Sequence, residues 1–256
     1  MASDKDEFNE IRAVLQKHFL QLKNIFLMAA SYSTYPTIAH DAFLEFIEKS
    51  DIIDSHTDIP KINQFFNKAL ETSNKYKHSK ERALHRYEFI EVLVYIANHK
   101  YRIPDICPTI AEAVERLLVE DIFPRNSPVD GINFRVNHLY DVKVEEILIK
   151  NEPVIRKLYN SFGIGVEKLL MTIDDCENLM LRAGKNLYRG LNLRTFIIES
   201  MISRVDTLYD VASLKRLRYV EFLAFIGRVS HEICRKITKE EYPLHLEINI
   251  ILPILL

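Results

Sequence analysis

Glycine is scarce in this chain, six in 256 residues, and proline contributes only nine. A loop-rich β protein needs more of both, and with Leu, Ile, Glu, Lys and Arg abundant the composition predicts a mostly helical chain. Cysteine is scarce too. Cys107, Cys176 and Cys234 are odd in number, far apart and without a C-x-x-C pair, which excludes a disulfide framework and points to reduced intracellular thiols. Neither sign of charge dominates, since 34 Lys and Arg face 36 Asp and Glu. That balance removes any global pull toward nucleic acid. No stretch approaches the roughly 20 apolar residues of a membrane span, and residues Met1 to Glu7 are too acidic for a signal or transit peptide. No membrane partner is expected, and the compartment is the cytoplasm or the cytoskeleton.

What is present is apolar bulk: 48% of the residues are hydrophobic, enough for the core of one large domain or two ordinary ones. The chain also repeats itself. Leu84 to Ile96 recurs as Leu217 to Val229, and in each copy the apolar residues fall at i, i+3, i+4 and i+7. These are Phe89, Val92, Leu93 and Ile96 in the first, and Phe222, Phe225, Ile226 and Val229 in the second. Each copy is an amphipathic helix with an aromatic at the head of its buried stripe.

Taken in order, residues 8 to 29 read as one long helix, residues 31 to 42 as a loop, and Phe43, Phe46 and Ile47 as the start of an exiting helix toward Ser50. After a polar connector, Ile62 to Leu70 enter a second unit whose exiting helix is the first repeat copy. Residues 101 to 143 have no echo elsewhere; Thr109 and Glu112 form a capping box there, and the chain must turn between Pro124 and Gly131. Helices from Val144 to Phe162, after Ile173, from Leu193 and from the second repeat copy make units three and four. These readings divide the chain into an N-terminal pair (8–98), a helical linker (101–143), a C-terminal pair (144–238) and an apolar tail (239–256). The tail must pack on the body or meet a partner.

Each unit is a helix, a loop with an apolar residue at its eighth place, and a helix. Ile38, Leu84, Ile173 and Leu217 are read at that place, with Phe43, Phe89 and Phe222 at the thirteenth. This pattern resembles the EF-hand superfamily. The resemblance implies an all-α fold of two EF-hand-like helix-loop-helix pairs joined by a helical linker. A calcium loop wants oxygen ligands at places 1, 3 and 5, glycine at 6 and glutamate at 12. Loop one offers Ser31, Ser33, Tyr35, Pro36 and Ala42; loop two Lys77, Ser79, Glu81, Arg82 and Glu88; loop three Val166, Lys168, Leu170, Met171 and Glu177. Loop four offers Asp210, Ala212, Leu214, Lys215 and Glu221. The glycine is missing from all four, so the loops are degenerate. Calcium is not expected as a cofactor, and Asp210 with Glu221 is the best remaining metal candidate.

Other chemistry is thin. Asp54, His56 and Asp58 alternate in a connector, Gly163-Ile164-Gly165 reads as a helix stop, and His231-Glu232 lacks the second histidine of a zinc-protease motif. No catalytic residue is identified and no enzyme is expected. Basic side chains do cluster: Lys75, Lys77, Lys80, Arg82 and Arg86 around loop two, and Lys215, Arg216 and Arg218 at the same place in loop four. An ordinary solvated loop accounts for them, and so does a contact for an acidic protein surface such as tubulin. The run from Leu84 to Tyr101, and Tyr140 to Tyr159, also looks like degenerate EF-hand proteins of the ciliary axoneme. That second resemblance implies a non-catalytic structural or adaptor protein of a cytoskeletal assembly, microtubule- or dynein-associated, binding tubulin or axonemal proteins without calcium. The alternatives are a calcium-responsive regulator working through its fourth unit and an enzyme of unrecognised type.

Overall fold

The computed structural model describes residues 4–74, 82–126, 131–162, 170–202 and 214–256. The architecture is helical, with two compact units that divide between Pro128 and Val129. Among the described residues, no helix is long and apolar enough to cross a membrane.

Unit one runs α1 (Asp4–Lys17), α2 (Phe19–Ser31), β1 (Ile38–Ala39), α3 (His40–Lys49), α4 (Ile59–Asn74), β2 (Ala83–Leu84), α5 (Arg86–Ala97) and α6 (Ile110–Arg116). Both α5 and α6 end in widened π turns, Asn98–Arg102 and Leu117–Ile122. The single helix expected over residues 8 to 29 is two. His18 leaves helical geometry between them, and its Nε2 lies 2.9 Å from Glu115 on α6, a contact that a straight helix does not reveal in sequence.

The core of unit one is an aromatic cluster. Phe89 packs against Phe26 (ring centroids 5.7 Å apart) and Phe46 (5.3 Å), and Phe43 against Phe66 (5.3 Å), so α2, α3, α4 and α5 meet through rings. Such pairs add about 0.5–1.5 kcal/mol beyond the area they bury. Strands β1 and β2 are only two residues long. They pair antiparallel, Ile38 opposite Leu84, and both of those side chains are fully buried.

Unit two follows the same plan: α7 (Gly131–Phe134), α8 (Val142–Lys150), α9 (Glu152–Phe162), β3 (Met171–Thr172), α10 (Ile173–Ala183), α11 (Lys185–Tyr188), α12 (Leu193–Ser200), β4 (Arg216–Leu217), α13 (Tyr219–Thr238) and α14 (Leu244–Leu255). Asn151 ends α8, so the run from Val144 to Phe162 is interrupted just before Pro153. Pro153 stands in the first turn of α9, where the missing N–H costs nothing. Met171 pairs with Leu217, so Met171 and not Ile173 takes the place matching Ile38. Ile38 to Met171 and Leu84 to Leu217 are both steps of 133 positions. The same step carries Phe26 to Tyr159 and Phe89 to Phe222, and those rings also pack, at 5.4 Å.

The duplication is wider than the helix-loop-helix pairs. Helix α6 lies against α1 and α5, and α14 lies against α8 and α13. The segment 101–143, without an echo in sequence, therefore has its helix α6 repeated in architecture by α14, and its residues divide between the two units. The stretch 239–256 is not a loose tail. Leu244, Ile248, Ile251, Leu252 and Leu255 are buried against unit two, and Gly227 lets α13 approach closely, since a Cβ there would stand 3.0 Å from Leu139 Cδ1 and 3.6 Å from Leu244 Cδ2. A buried ion pair is part of this packing: Arg228 and Glu199 lie 3.1 Å apart, with the guanidinium over the Phe134 ring at 4.4 Å.

Docking of α14 predicts a contrast between neighbouring positions. Ile248→Ala should cost about 2–5 kcal/mol in urea unfolding, whereas Ile250→Ala, on the exposed face of the same helix, should change stability by less than about 0.5 kcal/mol. Equal effects would show that α14 is not held on the body.

Candidate partner-binding site

The four loops solve one local problem, the backbone N–H at the N-cap of each exiting helix. At α5, the His85 N–H donates to Glu88 Oε2 at 2.6 Å; at α13, the Arg218 N–H donates to Glu221 Oε2 at 2.6 Å. At α10, the Thr172 N–H donates to Asp175 Oδ2 (2.9 Å) and the Asp175 N–H returns a bond to Thr172 Oγ1 (3.1 Å). At α3, where Ala42 has no carboxylate to offer, the Ala39 N–H donates to Ser33 Oγ at 2.7 Å. Acidic side chains at the third helical position are therefore spent on capping.

Glu221 goes further. It is 1% exposed, and its second oxygen accepts from the Ile202 N–H at 2.7 Å, so one carboxylate ties the end of the entering helix to the start of the exiting one. Glu88 is fully buried as well. Asp210, its expected companion at the metal candidate, lies outside the described residues. Loop three needs a correction of register: with Met171 at the eighth place, the twelfth is Asp175. Glu177 instead accepts from Arg194 Nε at 2.8 Å. Among the described residues no group of three His, Cys, Asp or Glu is arranged to hold a metal ion.

The alternating connector also resolves into capping. Asp54 Oδ1 accepts from the His56 and Thr57 N–H groups, at 2.8 and 2.7 Å, and Asp58 from the Lys61 N–H at 2.9 Å. Burial pushes the Asp54 carboxyl up, but those two N–H groups and the nearby Lys100 outweigh it and hold it below the usual aspartate range. Lys100 also donates to the Asp51 and Ile52 carbonyls and stands 3.2 Å from Asp121, which accepts from the Tyr101 hydroxyl. This network fastens the connector to the π turns after α5 and α6.

The basic residues do not form one described site. Lys75, Lys77 and Lys80 lie outside the described residues. Arg82 donates to Asn67 Oδ1 at 2.7 Å, and the Arg86 guanidinium stands 5.8 Å from the Phe19 ring centroid. Lys215 and Arg218 are exposed and Arg216 is half-buried, all three on unit two.

A concave apolar surface stands out in each unit. In unit two, α8 and the first turns of α13 enclose a groove of about 500 Å³ floored by Leu148 and Leu223 and flanked by Tyr140, Val142, Ile149 and Val220. Its remaining polar lining is acidic: Asp141, Glu145 and Glu152. In unit one a smaller groove of about 210 Å³ lies between α1, Phe19 and Ile90, with Arg12 on its edge. The groove residues were not singled out from sequence. The signal was there in α8, whose Val142 and Ile149 are apolar seven residues apart on the side opposite the buried Val144.

No protein-family model, curated protein or solved structure matches this chain.

All three cysteines are buried. Burial first, and then the charges of Asp175 and Glu177, push the Cys176 thiol well up; burial and Glu247 raise Cys234. Thiolate is the reactive form, so iodoacetamide at about pH 8 should modify these thiols slowly in the native protein and fully in denaturant. Rapid native labelling of Cys176 would contradict this placement.

Proposed function

We propose that the chain is a non-catalytic structural and adaptor protein, with degenerate EF-hand-like helix-loop-helix pairs that bind protein partners without calcium. The observation that carries this reading is the Glu221 carboxylate. It is buried, and it accepts two backbone N–H groups from opposite ends of its loop. A carboxylate in that position of a calcium loop closes on the ion; the two amide bonds of Glu221 support a helix pair that needs no metal. The Glu88 and Asp175 caps repeat the arrangement.

In this reading the protein acts in the cytoplasm as part of a cytoskeletal assembly such as the ciliary axoneme, with tubulin or axonemal proteins as partners. Support comes from the basic residues around loops two and four, of which Lys215 and Arg218 are exposed. Exposed lysines and arginines steer a protein toward an acidic surface and lose their effect as salt rises.

Two measurements test it. A protein that binds calcium in its folded state gains about 2.7 kcal/mol at 100 times the Kd, which raises the unfolding temperature by several degrees. We expect the same unfolding temperature, within about 1 °C, in EGTA and in millimolar calcium, for wild type and for Glu221→Gln, with the variant less stable by about 1–3 kcal/mol for its lost buried bonds. A calcium-dependent rise that Glu221→Gln abolishes would establish the calcium-responsive regulator instead. Separately, co-sedimentation with microtubules should be seen at low salt and weaken several-fold when Lys215 and Arg218 are both changed to Glu. No co-sedimentation at low salt would remove tubulin as partner.

A further inference from the structure

The two apolar grooves occupy equivalent places in the duplication. The step of 133 positions that relates the paired strands carries Arg12, Leu15, Phe19 and Ile90 of the unit-one groove to Glu145, Leu148, Glu152 and Leu223 of the unit-two groove. Each unit thus leaves open the same angle, between α1 and α5 in unit one and between α8 and α13 in unit two. Leu15 with Leu148 and Ile90 with Leu223 keep an apolar floor in both, while Arg12 gives way to Glu145 and Phe19 to Glu152.

We propose that the unit-two groove is a docking site for a cationic amphipathic helix of a partner protein, a proposal that rests on the adaptor reading and names the class of partner. The apolar half of the argument is exposure. Tyr140, Val142, Ile149 and Val220 are 72%, 70%, 61% and 56% exposed around the concavity, so a partner that covers them removes apolar surface from water. The charged half is the sign of the rim. Asp141, Glu145 and Glu152 line it, and among the described residues no lysine or arginine does. Arg156 pairs with Glu152 at 2.6 Å and covers the Tyr219 ring at 4.0 Å, whereas among the described residues Asp141 and Glu145 stand in no ion pair; Asp141 accepts the Lys143 and Val144 N–H groups as the N-cap of α8. Lys143 and Lys150 lie on α8 outside the lining. Val142 and Ile149 are seven residues apart, about 10 Å along the helix. The occupant therefore needs apolar anchors about two turns apart with lysine or arginine beside them, the helix-in-groove mode.

The test uses the full chain and two synthetic helical peptides of ~18 residues, long enough to hold a helix. They share one leucine stripe and carry lysine or glutamate on the other positions. Fluorescence anisotropy should show saturable binding of the lysine peptide in EGTA, at least tenfold tighter than the glutamate peptide and several-fold weaker when salt is raised. Ile149→Asp with Val220→Asp, both at exposed positions, should abolish it, and Glu145→Lys should reverse the preference between the peptides. Arg12→Glu in the equivalent groove should leave the lysine peptide's affinity within twofold. Equal binding of the two peptides, or unchanged affinity in the Ile149, Val220 double variant, would overturn the proposal. So would a dimer in sedimentation that this double variant dissociates, because the occupant is then a second copy. Binding that appears only on adding calcium counts against the adaptor reading and leaves the groove assignment standing.

Discussion

A helix that begins inside a folded unit leaves backbone N–H groups without partners, and the loops before α3, α5, α10 and α13 are organised by that constraint. Each is entered by a helix, crosses its neighbour in a two-residue strand, and starts the next helix at once. The N-cap N–H lies next to the strand pair, in a part-buried position. A carboxylate two or three atoms long, three residues on, reaches it in α5, α10 and α13; in α3 Ser33 reaches it from the other side of the loop. Because a buried, unmatched donor costs about 1–3 kcal/mol, these caps are a condition for the strand pairs and hence for the aromatic core beneath them.

The same constraint makes the molecule double. Strand pairs β1–β2 and β3–β4 are too short to be stable alone, so each depends on helices above and below. Unit one supplies rings, Phe26, Phe43, Phe46, Phe66 and Phe89; unit two uses Tyr159, Phe222 and Phe225, with the Tyr159 hydroxyl donating to the Leu217 carbonyl at 2.7 Å. Helices α6 and α14 then close each unit on one side. The side of unit two along α13 is covered by the chain's own α14. Its Glu247 is fully buried against His231, 2.9 Å away. The apolar concavity of unit two that stays open is elsewhere, between α8 and the first turns of α13.

Much of the fold was legible in sequence because amphipathic periodicity reports burial directly. Phe89, Val92, Leu93 and Ile96 lie inside as their spacing requires, Thr109 caps α6, and the change of unit falls in the Pro124 to Gly131 turn. The register of loop three was misread because Ile173 is the more hydrophobic residue of that stretch, and hydrophobicity alone cannot say which residue faces Leu217. The constant step between the halves does say so, pointing from Ile38 to Met171. The groove was harder. Tyr140, Val142 and Val220 are apolar residues that face water, and a reading that assigns apolar residues to the core has no category for them.

The sequence by itself determined that the chain is helical, that it is repeated and that its loops are poor in calcium ligands, because these follow from composition, spacing and residue type. Only the tertiary structure decided what the remaining acids do. Glu221 accepts the Ile202 and Arg218 N–H groups because the segment after α12 and the N-cap before α13 converge within 3 Å of it, and no spacing rule in the sequence announces that convergence. It decided likewise that α14 lies against α13 and that Arg12 and Glu145 take matching positions, since the facing of a helix is settled by every element packed around it.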